Sequence, residues 1–528
     1  CIEDYISEDN PVRVIDAFVD NLDLASIGFS HSALCDTGRP PYDPADMLKL
    51  YVYGYMNRIR SSRKLMTECR RNIELFYLLG KLSPDFRTIS DFRKDNPQAL
   101  REVFRSFVRL CDKLSLYGKE LIAIDGTKFR AVNSRDNAYN EDILLKKLQR
   151  IEEHISEYLT MMDKSDEDEE ERPELSADQI QKILSDLKER KETYQGFLKE
   201  LSDSGKTQIL TTDPEARRMH TKDGFNCCYN VQTAVDSGSH LIAEYEVTNH
   251  NTDQGLLCQT ADKAKELLAM DVIEVVADKG YDSRKDIMDC VSSGIIPNVP
   301  FKYDKTERIF TIDYAPSEIT VEDRLSTDPE VIRKCLAAGI LPTCYEDTCI
   351  KLEVQELSRM SCFSKNDDGT VTCPMMNIMT RTRQRGKQSV YRNHDACRQC
   401  TNRCTSSKNA KDVCFSDDTQ YIAVRMYGKT NRKLNSIPDD VSLHPNNHNL
   451  DRKTVPKKVS LKLLEDPEKI HLRMCTVEHP FGTVKWYGGA HYVLCKGIRK
   501  VTGEIGLSFL AYNLRRAINM VGTRALIE

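Results

Sequence analysis

Two acidic residues stand where short apolar runs of the sequence end. The run Leu121–Ile124 contains β-branched residues and stops at Asp125, and the run VIEVVA stops at Asp278. Each pattern predicts a buried strand that delivers a carboxylate at its end, which is where α/β proteins assemble sites. Two carboxylates together would suit a hard cation such as Mg²⁺. Taken singly, each Asp has an alternative interpretation as a turn residue.

Cysteines form a second pattern with metal-ligand spacing. The segment CRQCTNRC and an earlier Cys-Pro pair supply four thiols, on Cys373, Cys397, Cys400 and Cys404. Cys-x2-Cys spacing brings two thiolates onto one ion, and a fourth thiolate from a preceding turn completes a tetrahedral structural Zn²⁺ site. Cys362 and Cys414 are competing members of the set. An iron–sulfur cluster or unliganded thiols are the alternatives, since nineteen Cys in a long chain favour reduced thiols over a disulfide framework.

The elements that must position the two aspartates follow an α/β order. After Asp125, strand patterns occur at 225–236 and 241–249, a helix is predicted at about 252–270, and the last strand runs into Asp278. Strands interleaved with a helix predict a mixed sheet flanked by helices. Between 141 and 201 the apolar spacing changes to that of helices, which predicts a helical hairpin inserted after the first strand.

The first 115 residues have apolar positions at helical spacing and predict an all-helical N-terminal domain. In TISDFRKDN, Thr88 or Ser90 is a candidate N-cap, and the helix that follows would present Arg93 and Lys94 in its first turns. A short helix, a turn and a capped basic helix is how helix-turn-helix units reach the major groove of DNA. A plain helical bundle is the alternative.

The net charge conceals local basic clusters. The chain has 76 Lys and Arg against 81 Asp and Glu, a net charge of -5, yet segment 163–174 alone carries eight acids and two bases, which leaves +1 for the remainder. One basic cluster contains Arg63 and Lys64. Such clusters neutralise DNA phosphates, although solvated helix faces give the same pattern. With 40% hydrophobic and 30% charged residues, no long apolar run and no export signal, the chain is expected to be a soluble cytosolic protein.

The C-terminal segment VEHPFGTVK, together with AYNLRR, IAIDGTK, DGFNCCYNVQTAVD and VVADKGYDS, closely resembles DDE transposases of bacterial insertion sequences, in the IS-eleven-eighty-two-like group. The resemblance covers nearly the whole chain and implies an RNase H-like catalytic core. It places the acidic triad on Asp125, Asp278 and Glu478, and the family's trailing Lys on Lys485. Relatives also carry a basic residue before the Glu. Arg473 lies nearby, but the stricter spacing would require a basic residue at Met474.

The resemblance implies a site for two Mg²⁺ or Mn²⁺ ions about 4 Å apart, with which such enzymes transfer phosphodiesters. Asp125 is assigned the bridging position, and Asp278 and Glu478 one ion each, so the three carboxylates are expected to converge. Lys485, further along the same helix as Glu478, would steady a DNA phosphate; an exposed solubilising Lys is the alternative. Trp486 beside it could stack on an unpaired or flipped base, or be buried in the core.

These assignments divide the chain into parts. A helical DNA-binding domain covers 1–115, the catalytic core covers 116–140, 205–300 and 466–528, the helical hairpin covers 141–204, and a Cys-rich insertion covers 301–465. The expected partners are double-stranded DNA with terminal inverted repeats, target DNA and a second copy of the chain, at the bacterial nucleoid. Two alternative functions are a transposase-derived DNA-binding protein that does not cut and an RNase H-like nuclease that only hydrolyses. The intact triad argues against the first, and an assay for joined product separates the second.

Overall fold

The computed structural model describes residues 2–29, 42–167, 177–301, 307–356, 362–400, 404–405, 410–417, 419, 421–423 and 457–528. The chain divides into two compact units. The first contains Cys1–Ile287, Pro297–Pro300 and Pro467–Glu528, and the second contains Met288–Ile296 and Phe301–Asp466. Part of the acidic segment, 168–174, lies outside the described residues. Among the helices of the described ranges, none combines the length and apolar character that a membrane span requires.

The N-terminal part of the first unit is helical, as predicted. Its helices are α1 (Pro11–Asp20), α2 (Leu24–Ile27), α3 (Pro44–Met56), α4 (Ser62–Glu68), α5 (Ile73–Leu79), α6 (Phe86–Asp95) and α7 (Pro97–Lys113). Short polar side chains define several of the starts, because they accept backbone N–H groups that the first turn leaves without partners. Asn10, Asp43 and Asn72 do so for α1, α3 and α5.

Helix α6 begins earlier than the sequence interpretation placed it. The Asp85 carboxylate accepts two backbone N–H groups of the first turn, at 2.8 and 3.2 Å, so Asp85 is the N-cap in place of Thr88 or Ser90. Arg93 and Lys94 consequently lie in the last turn of the helix and not in its first turns. The residues proposed to enter a groove are therefore at the opposite end of the helix from its N-terminus.

A six-stranded mixed sheet carries the catalytic candidates. The first eight strands in chain order include the six of this sheet. They are β1 (Ile122–Arg130), β2 (Ala138–Tyr139), β3 (Ile209–Leu210), β4 (Arg217–Thr221), β5 (Gly224–Asp236), β6 (Ile242–Thr248), β7 (Ile273–Val276) and β8 (Ile295–Asn298). The sheet order is β4-β5-β1-β7-β8, with β6 also paired to β5, while β2 and β3 pair with each other. Strand β1 is antiparallel to β5 and parallel to β7. This mixed sheet and its helices confirm the predicted α/β class.

Strand β1 continues past Asp125, where the sequence interpretation ended it. Its antiparallel pairing with β5 runs from Ile122 to Arg130, and this pairing holds the chain extended through the Asp-Gly pair. Gly126 does not turn the chain. A Cβ at this position would collide with the side chains of Gln232 and Asp253, so the glycine provides space for a close approach.

The predicted helical hairpin is present between the first strands. It consists of α8 (Glu141–Glu167) and α9 (Ala177–Ser204). Leu144, near the start of α8, shares one apolar cluster with Leu201, near the end of α9. The two helices therefore run antiparallel.

Helix α10 (Leu257–Leu267) begins later than predicted, and α11 (Arg284–Val291) supplies the reason. The carboxylate of Asp286, in α11, accepts the backbone N–H groups of Leu257 (2.9 Å) and Cys258 (3.2 Å). A carboxylate at a helix N-terminus stabilises the start of the helix. Residues 249–256 are left as a loop before α10, and Asp253 lies in this loop.

The second unit contains two further sheets. Its helices are α12 (Val321–Leu325), α13 (Pro329–Ala337) and α14 (His394–Gln399), and its strands are β9 (Glu307–Asp313), β10 (Ile350–Glu356), β11 (Cys362–Lys365), β12 (Val371–Thr372), β13 (Ile378–Arg385), β14 (Gln388–Arg392), β15 (Val413–Ser416), β16 (Tyr421–Ala423) and β17 (Lys457–Leu464). The sheet orders are β10-β17-β9 and β15-β14-β13-β12-β11-β16. Of the predicted Cys cluster, Cys373 follows β12, Cys397 lies in α14, and Cys400 and Cys404 come after α14.

The C-terminal helices return to the first unit. They are α15 (Pro467–Gly482), a π-helical turn (Thr483–Tyr487), α16 (Ile498–Val521) and α17 (Arg524–Ile527). Helix α16 is buried along most of its length and packs against α3 and α7. The N-terminal helices and the catalytic sheet thus share one compact unit.

A buried ion pair joins the N-terminal helices to α16. Glu504 is 0% exposed, and its carboxylate lies 2.7 Å from the guanidinium of Arg60, which is itself buried. Arg60 also donates to the backbone oxygens of Gly489 and Tyr492, each at 2.6 Å. Glu504 in turn accepts the N–H groups of Leu494 and Cys495.

Candidate active site

Asp125 lies on β1, and Asp278 follows the end of the neighbouring strand β7. The residues two positions before them, Ala123 and Val276, are partners in the parallel pairing of β1 and β7. The carboxylate of Asp278 caps the 3-10 turn Lys279–Tyr281 that follows β7. The two predicted aspartates are therefore neighbours just past the point where the parallel pairing ends, one within β1 and one after β7.

The carboxylate of Asp125 has an unusual electrostatic environment. Burial raises the pKa of the Asp125 carboxyl to about 6, and the negative charges of Asp278 and Asp253 act in the same direction. The Arg473 guanidinium, 3.0 Å from the carboxylate, and the Gly126 N–H, at 2.8 Å, lower the pKa but do not offset the burial. Acidic groups held close together in a partly buried place favour the binding of a cation.

Helix α15 packs against β1, β5 and β7. Lys469, in its first turn, pairs with Glu274 of β7 at 2.7 Å. One turn later, Arg473 pairs with Asp125 of β1 at 3.0 Å. The Glu-bearing helix is therefore held beside the two strands that lead to the aspartates, and Arg473 has a definite contact although its spacing departs from the stricter signature.

The side chain of Glu478 is exposed, and the structure does not bring it to the aspartates. Glu478 follows Arg473 by five positions of α-helix, which places the two side chains about 140° apart around the axis. Arg473 contacts Asp125 of the sheet, and the buried residues of the same helix are Thr476, Val477 and Pro480. Within the described ranges, no three His, Cys, Asp or Glu side chains lie close enough together to hold a metal ion.

Lys485 reaches β1 just beyond Asp125. Its ammonium donates to the Lys128 carbonyl oxygen at 2.8 Å and to the hydroxyl of Thr127. Burial lowers the pKa of Lys485 to about 8. Lys485 lies in the π-helical turn and not in the α-helix that was predicted, and such wide turns are frequent at functional sites. Glu478 is thus flanked along the chain by two cations that both contact β1.

Comparison with known families identifies this arrangement. A family model described as Transposase DDE domain matches residues 117–514, and another described as Transposase domain (DUF772) matches residues 1–95. The chain belongs to the DDE transposase family. It is an insertion-sequence transposase, a DNA-cleaving enzyme of a family that generally uses divalent metal ions. Neither the curated proteins nor the solved structures gave a match to the chain.

Asp253 of the transposase lies near the site, and the sequence did not predict it as a site residue. This residue accepts the side-chain amides of Asn230 (2.7 Å) and Gln232 (2.8 Å) and lies 3.6 Å from the Lys128 ammonium. The three partners are distributed over β1 and β5, so no local pattern in the sequence marks Asp253. In the sequence, Asp253 is a polar residue near the start of a predicted helix, and an ordinary capping residue gives the same pattern.

The predicted DNA-binding residues of the N-terminal region differ in exposure. Arg63 and Lys64 are exposed on α4. Lys94 is half exposed and pairs with Asp91 of its own helix at 2.9 Å. Arg93 is only 6% exposed, and its guanidinium donates to the hydroxyl of Tyr55 at 3.0 Å. The interpretation of Arg93 as a groove-reading residue is therefore corrected, because its side chain is used inside the helical bundle.

Trp486 is 81% exposed, which excludes the alternative of a core tryptophan. Its ring is nearly parallel to that of His491, at 20°, with the ring centres 6.3 Å apart. The ring centre of Tyr492 lies 4.9 Å from that of His491, with the two ring planes 69° apart. An aromatic surface thus lies directly beside Lys485.

The four predicted zinc ligands of the second unit border the same pocket, but as they stand they do not form a group close enough to hold a metal ion. Cys373, Cys397, Cys400 and Cys404 line one pocket, from which Cys362 and Cys414 are absent. Burial raises the pKa of the Cys404 thiol to about 11, and the charges of the other three thiols contribute to this rise. The Asn377 N–H donates to the Cys373 sulfur at 3.3 Å. None of the cysteines in the described segments forms a disulfide with another of them.

Proposed function

We propose that this transposase cleaves and joins DNA at the ends of its insertion sequence with Asp125, Asp278 and Glu478 as the ligands of two divalent ions, Mg²⁺ or Mn²⁺. The observation that carries the proposal is the placement of Asp125 on β1 beside Asp278, which follows the end of β7, with α15 tied to both strands. The donor set consists of carboxylate oxygens, which fits a hard divalent cation. Glu478 must swing toward the pair, since its carboxylate is exposed in the structure.

Each residue has a distinct task in this proposal. Asp125, which lies beside Asp278 and contacts Arg473 of the Glu-bearing helix, takes the bridging position, and Asp278 and Glu478 hold one ion each. Ions held by these carboxylates would supply the positive charge that activates the attacking oxygen and stabilises the leaving oxygen of the phosphodiester. Arg473 neutralises Asp125 and keeps the carboxylates from repelling one another. Lys485, anchored on the backbone next to Asp125, is placed to contact the DNA phosphate.

The proposed partners are double-stranded DNA with terminal inverted repeats, target DNA at the nucleoid and a second copy of the chain. Arg63 and Lys64, both exposed on α4, are proposed to contact DNA phosphates. Light scattering of the DNA complex tests whether two chains bind a pair of ends. A measured mass that corresponds to one chain per pair of ends would contradict the homodimer.

The test of the function is an assay on DNA that carries the inverted repeats flanking the gene. Cleaved ends and joined products should both appear with Mg²⁺ or Mn²⁺ and should disappear with a chelator. Cleavage without any joined product would indicate a hydrolytic nuclease, and end binding without cleavage would indicate a DNA-binding protein.

Trp486 is proposed to stack on an unpaired base near the cleavage point. We expect Trp486→Ala to weaken binding of ends with unpaired nucleotides by about 1–3 kcal/mol, the contribution of one base–aromatic stack. Fluorescence anisotropy with frayed and fully paired ends measures this effect. The duplex should bind unchanged, and so should the control Tyr5→Ala, which removes an aromatic ring of similar exposure, 76%. Equal losses on both DNAs would contradict stacking.

The Cys cluster is proposed to hold one structural Zn²⁺. Four thiols around one pocket, one of them accepting a backbone N–H, fit the ligand set of such a site. Purified protein should contain about one zinc per chain, and the combined Cys397→Ser and Cys400→Ser replacement should lose it. Cys414→Ser is the control, since Cys414 lies outside the pocket, and it should retain the metal. Elemental analysis without zinc, or an iron–sulfur absorption band, would refute the assignment.

A further inference from the structure

A chain of polar side chains lies behind the catalytic strand ends. Residues paired directly across antiparallel strands point to the same face, and successive residues alternate between faces. Asp125 is paired with Thr233, whereas its neighbour Gly126 is paired with Gln232. Gln232 and the Asp253 that it contacts therefore lie on the face of the sheet opposite to the Asp125 side chain.

This chain connects the two aspartate-bearing segments. The oxygen Oδ1 of Asp253 accepts Gln232 at 2.8 Å and Asn230 at 2.7 Å. The side-chain amide oxygen of Gln232 accepts the hydroxyl of Tyr281, which belongs to the turn that Asp278 caps. Gln232, Asn230 and Tyr281 are all 0% exposed.

Asp253 also fixes the strand beside Asp125. It fills the space that Gly126 leaves open, so closely that a Cβ on residue 126 would collide with it. Its carboxylate lies 3.6 Å from the ammonium of Lys128, two residues further along β1. One carboxylate thus contacts β1 immediately after Asp125 and, through Gln232, the turn immediately after Asp278.

Buried polar groups are costly unless they are paired, and apolar side chains would fill the same space at a lower cost. Stability therefore does not explain why four polar side chains connect the two catalytic segments. Residues that orient metal ligands are usually held in such hydrogen-bond networks.

We propose that Asp253 is a positioning residue that, through Gln232 and Tyr281, sets the separation of Asp125 and Asp278 to the one that divalent ions require. This inference rests on the proposed role of those two aspartates as metal ligands. Asp253 itself does not contact the ions, because it lies on the other face of the sheet.

The test is Mn²⁺ binding to the full-length protein without DNA, measured by calorimetry below the unfolding temperature. Asp253→Ala should bind Mn²⁺ about tenfold or more weakly, the range found when groups that orient metal ligands are removed. Tyr281→Phe removes only one hydroxyl from the network and should give a smaller loss. Cleavage by both variants should recover as the Mn²⁺ concentration is raised, at a temperature at which each variant is already folded without metal.

Two controls separate the possible failures. Asp262→Asn, an exposed acid on α10, should bind Mn²⁺ as the wild type does. If folded Asp253→Ala also binds as the wild type does, the inference is overturned. If that variant does not fold, wild-type binding by Tyr281→Phe overturns it. Wild-type binding by Asp125→Ala would instead overturn the proposed metal ligands, and with them the inference that rests on them.

Discussion

Replacing Asp125 or Asp278 by asparagine should abolish DNA cleavage while leaving the binding of transposon ends largely intact. Metal-ion stabilisation of a transition state contributes several kcal/mol, so the loss of a ligand should reduce the cleavage rate by about 10³-fold or more. End binding should change little, because Lys and Arg contacts to phosphates supply most of the affinity for DNA. Single-turnover cleavage and gel-shift titration on the same DNA measure the two quantities.

The matched control is Asp271→Asn. Asp271 is exposed just before β7, at the other end of the strand that leads to Asp278, and its replacement should leave cleavage unchanged. Full cleavage by either catalytic variant would remove that aspartate from the mechanism. Glu478→Gln should lose as much activity as the aspartate variants. Wild-type cleavage by Glu478→Gln would show that the third ligand is another residue.

Replacing Glu504 by alanine should destabilise the first unit by about 3–5 kcal/mol, the cost of leaving a buried charge without its partner. Burial favours the neutral carboxyl, but the charges of Arg93 and Arg60 outweigh it and hold the pKa of Glu504 below its ordinary value. Truncation leaves both guanidinium groups buried without this carboxylate, and it removes the acceptor of the Leu494 and Cys495 N–H groups. Urea unfolding measures the free-energy change.

A suitable control is the pair Arg524 and Glu8, whose side chains are 80% and 89% exposed. Exposed pairs contribute at most about 1 kcal/mol, so Glu8→Ala should have little effect. A double-mutant cycle with Arg60→Met and Glu504→Leu gives the interaction energy of the two side chains, because the double variant lacks both members of the ion pair. A loss below about 1 kcal/mol for Glu504→Ala would show that the buried arginines do not depend on it.

The sequence predicted those parts of the fold that local patterns determine. Strands β5, β6 and β7 follow apolar and β-branched runs, and the helical hairpin follows helical spacing, so each was placed within a few residues. The start of α10 was misplaced because its N-terminal carboxylate, Asp286, comes from another helix, 28 and 29 residues along the chain from the N–H groups it accepts. The end of β1 was misplaced because its pairing with β5 continues through an Asp-Gly that resembles a turn.

Some residues of the site could be predicted from local patterns and others could not. Asp125 and Asp278 were visible as acids at the ends of apolar runs, whereas Glu478, Lys485 and Arg473 were identified through the family resemblance. The burial of Arg93 was not predictable, because the bundle that encloses it forms only when distant segments pack together. Asp253 was missed for a related reason, since its partners lie 21 and 23 residues away on a neighbouring strand.

The ion pair of Arg60 and Glu504 also has a consequence for the time course of synthesis. The two residues are separated by 444 positions in the chain. At the usual elongation rate of about 5–20 residues per second, Arg60 is made roughly 20–90 s before Glu504 exists. During that interval the ribosome-bound helices α3 and α7 also lack α16, against which they pack in the finished protein. The first helices to be synthesised are therefore among the last to reach their native packing.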